Sequence, residues 1–63
     1  MPLTPDQERW AEALAIQKAY GDGAPAHIAE RITTLALAGD KAGVRRWTEI
    51  AARYDQLIAG TVQ

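Results

Sequence analysis

His27 and Glu30 stand three residues apart, which on a helix places an imidazole and a carboxylate on one face. Such a pair could begin a metal site. Zinc needs three or four ligands, however, and the chain has one histidine and no cysteine. No metal is expected, and His27 reads as a boundary residue at the start of an amphipathic helix. Glu8 and Glu12 share a face at i,i+4 and could do paired acid–base work. A solvated acidic face is the simpler expectation. There is no serine or cysteine to act as a nucleophile, and a single histidine excludes a His pair. Gly21-Asp22-Gly23 follows a helical pattern rather than a strand, and no Gly-Lys-Thr comes after it, so it does not form a phosphate cradle. The sequence therefore predicts no enzyme, no catalytic residue and no cofactor.

Arg45, Arg46 and Arg53 offer a different chemistry, the neutralisation of phosphates. A small helical chain with arginines on its last helix suggests helix-turn-helix DNA binding. That motif pairs a small residue with a turn glycine four later and an apolar residue six after the glycine. With the turn at Gly39, Leu35 takes the small position and Arg45 the apolar one. With the turn at Gly43, those positions hold Gly39 and Glu49. Both registers fail. Weak nucleic-acid binding or regulation through Arg45, Arg46 and Arg53 is kept as the alternative function.

The elements that position these residues are helices. The composition is 48% hydrophobic, with thirteen alanines and no phenylalanine, serine or asparagine. Abundant alanine favours helix, and the lack of β-branched runs argues against a sheet. Thr4-Pro5-Asp6-Gln7 can form a capping box with proline at the first helical position. The first helix should run over 5–20, with Gly21 as its left-handed stop and Asp22 or Gly23 as the next cap. The second should run over 24–38, with Gly39-Asp40 as a stop followed at once by an N-cap. The third should run over 41–59, with Gly60 as its stop and Thr61–Gln63 fraying.

The third helix organises the rest. Val44, Trp47, Ile50, Ala51, Tyr54, Leu57 and Ile58 fill an arc of roughly 140° on one side of it. Arg45–Glu49 and Glu49–Arg53 are set for i,i+4 pairs. The expected core holds Trp10, Leu14, Ile28, Ile32, Leu35, Val44, Trp47, Ile50, Ala51, Tyr54 and Ile58. Residues 1–30 carry two basic and five acidic side chains, and residues 31–53 carry five basic and two acidic, within a net charge of −1. The two regions should attract each other, within one fold or across a dimer.

Trp47-Thr48-Glu49-Ile50-Ala51-Ala52-Arg53-Tyr54 resembles the first helix of a tetratricopeptide repeat, with Ile50 and Ala51 in place of its leucine and glycine. The second helix of that repeat is missing, so the match is a shared packing solution. Longer pieces carry a wider resemblance: Glu8-Arg9-Trp10-Ala11-Glu12-Ala13-Leu14, His27-Ile28-Ala29-Glu30-Arg31-Ile32, Leu35-Ala36-Leu37-Ala38-Gly39-Asp40 and Arg46-Trp47-Thr48-Glu49-Ile50-Ala51. They are similar to a family of short bacterial proteins known only as a domain of unknown function. The resemblance implies a small bacterial protein and assigns no functional residue.

The expectation is an all-α fold, one small three-helix domain over 1–63. No signal peptide or membrane span is apparent, so a cytoplasmic protein is expected. A chain this short, with no disulfide, gains buried area by pairing. The predicted function is a non-enzymatic protein–protein interaction or self-association module. Its partner is expected to be a second copy in a homodimer, or another protein. Leu37, Ile50 and Leu57 are the candidate interface.

Overall fold

The computed structural model describes the backbone of residues 1–62 and the side chains of residues 1–60. Among them every element is helical: α1 (Pro5–Tyr20), a short 3-10 turn (Gly21–Gly23), α2 (Ala24–Leu37) and α3 (Lys41–Val62). The expected three separate helices are corrected in one respect. α1, the turn and α2 follow without a non-helical residue, so the chain makes two helical runs with a corner in the first.

The capping chemistry explains the boundaries. Gln7 N–H donates to Thr4 Oγ1 at 3.1 Å and Thr4 N–H to Gln7 Oε1 at 2.9 Å, which completes the capping box. Gly21 ends α1 at φ 53°, a conformation that a Cβ would strain, and its N–H reaches Gln17 O. Asp22 supplies no cap; Gly23 precedes α2 without a side-chain hydrogen bond. At the other corner Gly39 adopts φ 75°. Its N–H donates to Ala36 O at 3.1 Å and that of Asp40 to Leu35 O at 2.9 Å, the two bonds of a Schellman stop. This stop ends α2 at Leu37, one residue earlier than expected. Asp40 Oδ1 then accepts the Gly43 N–H at 2.8 Å and starts α3. A Cβ at Gly43 would stand 2.6 Å from Asp40 Oδ2 and 3.2 Å from Leu35 Cδ1, so glycine leaves room for this joint.

Gly60 does not stop α3. It lacks the positive φ of Gly21 and Gly39, and the helix continues to Val62. An interior glycine costs only about 1 kcal/mol, which does not end a helix by itself. The expected fraying of Thr61–Gln63 lies outside the described residues, apart from the helical backbone of Thr61 and Val62.

α3 is the hub: α1 and α2 both pack along it and touch each other less. The buried set is Ala13 and Ile16 from α1, Ala24 and Ile28 from α2, and Ile50 and Tyr54 from α3. Ile32, Trp47, Ala51 and Ile58 pack around it, half-buried. Leu35 and Val44 are half-buried as well. The expected core is wrong in α1, where Trp10 is 37% and Leu14 40% exposed. Ala13 and Ile16 take the inner face instead, flanked by half-buried Arg9, Glu12 and Gln17. These residues recur at i, i+3, i+4, i+7 and i+8, so α1 is amphipathic in geometry but not in chemistry.

Candidate interaction surfaces

The polar inner face of α1 meets a matching polar flank of α3. Arg53 donates from Nε to Asp6 Oδ1 at 2.8 Å. Arg9 donates from Nε to Glu49 Oε1 at 3.0 Å and from Nη1 to Glu12 Oε1 at 2.7 Å. Arg46 donates from Nε to Glu12 Oε2 at 3.1 Å and also reaches it through Nη2. The partners descend along α3 from 53 to 46 as they ascend along α1 from 6 to 12. The attraction between the acidic first half and the basic middle is thus satisfied within one fold. Burial pushes the Glu12 carboxyl up, but hydrogen bonds from Arg46 and Arg9 outweigh it and hold it below its ordinary value. Hydrogen bonds to Glu49 and Glu12 raise the Arg9 guanidinium above its ordinary value.

This network decides where the candidate phosphate-binding arginines point. Arg46 and Arg53 are engaged by Glu12 and Asp6, and Arg53 also lies 5.7 Å over the Trp10 ring. The expected Glu49–Arg53 pair gives way to these longer-range contacts. Arg45 is 84% exposed and stands 3.7 Å from Glu49.

The other candidates separate. Ile50 is 1% exposed, so its place in the candidate interface is corrected: it lies in the core. Leu57 is half-buried, and Leu37 is 85% exposed, on its own side of α2. His27 stacks on Tyr20 at 4.0 Å and meets Trp47 edge-on at 5.6 Å, while the Arg31 guanidinium lies 5.6 Å from the same indole. His27 thereby ties the end of α1 to α2 and α3. Glu30 makes no such contact and is exposed. Among the described residues no three His, Cys, Asp or Glu side chains gather as a metal set, and no helix is long and apolar enough to cross a membrane.

Two surfaces were missed in the sequence. One is the outer flank of α1, where Leu3, Trp10 and Leu14 remain exposed. The other is a groove along the seam between α2 and α3. It opens into two hollows, one lined by Pro25, Ala29, Ile32, Ala51 and Asp55, the other by Ala36, Lys41 and Val44. The i,i+7 spacing of Lys41, Thr48 and Asp55 marks the α3 wall of this groove in the sequence.

The chain matches no curated protein and no solved structure. Residues 5–61, which include both helical runs almost to their ends, match the model of a family of unknown function (DUF6961), and the chain belongs to that family.

Proposed function

We propose that this protein is a non-enzymatic interaction module that associates with itself. The observation that carries the reading is the inversion of α1. That helix turns Arg9 and Glu12 inward and leaves Trp10 and Leu14 outward, so apolar side chains that could have served the core face water. Exposed apolar area of this kind is what association removes from solvent. Leu37 and Leu57 add to the apolar surface that a partner could cover. The cytoplasm is the setting proposed with it.

Nucleic-acid binding gains no support from the arginines, because Arg46 and Arg53 are held by carboxylates of α1. Sedimentation equilibrium over micromolar to millimolar loadings tests the proposal. The expected result is a mass rising above that of one 6.8 kDa chain. A single-chain mass at every loading would overturn self-association.

A further inference from the structure

We infer that the self-association surface is the α2–α3 groove, occupied by the same groove of a second copy, with α3 lying antiparallel on its counterpart. The inference rests on the self-association reading and names its surface.

The groove is apolar along its length and charged at its ends. Ala29, Ile32 and Ala36 line the α2 side, and Val44 and Ala51 the α3 side. Thr48 lies midway along α3, and its hydroxyl donates to Val44 O at 2.8 Å. Covering it leaves no polar hydrogen unpaired. Lys41 and Asp55 stand at the two ends, each seven residues from Thr48 and therefore on its face of the helix. Both are exposed, and among the described residues neither appears in an ion pair.

The fold itself gains nothing from Lys41. It is the first residue of α3, where a cation opposes the helix dipole. The neighbouring Asp40 is turned inward to cap Gly43. A two-fold axis through Thr48, perpendicular to α3, brings Lys41 of one copy over Asp55 of the other, twice. The same axis sets Ala29 against the partner's Ile32 and Pro25 against the partner's Ala36. Such a pair is isologous, the arrangement of the commonest dimers.

The outer flank of α1 is the rival surface, but it lacks this complementarity. Its largest ring, Trp10, is already met by Arg53 of its own chain.

Charge reversal tests the inference. Lys41→Asp and Asp55→Lys change exposed groups, so circular dichroism should show both variants as helical as the parent. Each alone faces like charges in the dimer and should weaken association by about tenfold or more. An equimolar mixture of the two should restore it, because antiparallel pairing then sets Asp at 41 against the partner's Lys at 55 and Lys41 against the partner's Asp55. The double variant should also associate like the parent. Sedimentation equilibrium reads all of these. If the parent associates and both single variants do so equally well, the groove is wrong while self-association stands. If Leu14→Glu alone abolishes association, the surface is the outer flank of α1. A parent that stays at 6.8 kDa overturns both the groove and the reading beneath it.

Discussion

α3 is gripped on two sides by different physics. Toward α2 the contact is apolar: Ile28 is buried against Ile50 and Tyr54, with Ile32, Trp47 and Ala51 around them. Toward α1 the contact has a small apolar centre, Ala13 and Ile16, and a rim of arginine–carboxylate pairs. Apolar burial stabilises in proportion to area and resists salt. Charge pairs at a wet rim contribute less, weaken with screening and depend on pH. What the difference teaches is that the rim sets the rotation of α1, because it costs α1 its apolar residues. With Arg9 and Glu12 facing α3, Trp10 and Leu14 must face out.

The largest effect should come from the apolar centre. Ile50→Ala removes a side chain that is 1% exposed and should cost about 2 to 5 kcal/mol. Urea or thermal melts measure it, and a variant as stable as the parent would break the assignment of the core. Trp47→Ala should fall at the lower end of the range for a large aromatic, about 3 kcal/mol, because the indole is half-buried.

Glu12→Gln attacks the polar rim and should cost less, about 1 to 2 kcal/mol, since Arg46 is more than half exposed. Roughly 1 M salt should narrow the gap between variant and parent, where the gap for Ile50→Ala should persist. The carboxyl of Glu12 is lowered in the folded chain. Its contribution is therefore full above the ordinary value of 4.5 and is lost as pH falls through the lowered one. Melts from pH 7 downward should show the parent losing stability below about 4.5, and Glu12→Gln should lack that part of the loss. A variant with an unchanged acid profile would remove Glu12 from the rim's energetics. The smallest effect is expected at Arg45→Ala, within about 0.5 kcal/mol, because this exposed pair stands apart from the network.

The two contacts were unequally legible in the sequence. The stripe from Val44 to Ile58 is dense enough to define its own inner face, and Thr4, Gln7, Gly39 and Asp40 marked their helix ends correctly. α1 was misread because its apolar residues spread around the helix and the bulkiest were given the core. Ala13 lies inside because its size admits close approach, and the long arms of Arg9, Arg46 and Arg53 span the remaining gap. The opposed charges of the two halves held this information, but not which residues would pair. Gly60 looked like Gly39, yet no stop geometry accompanies it. Ile50 sat at the edge of the stripe in projection and proved central, because α1 and α2 close over it from both sides.

Amide hydrogen exchange on Glu12→Gln, resolved by helix, tests the central claim that charge rather than apolar burial sets α1 on α3. The account predicts that exchange in α1 accelerates by about tenfold while α2 and the middle of α3 change less. Equal loss of protection in all three helices, or none in α1, would contradict it.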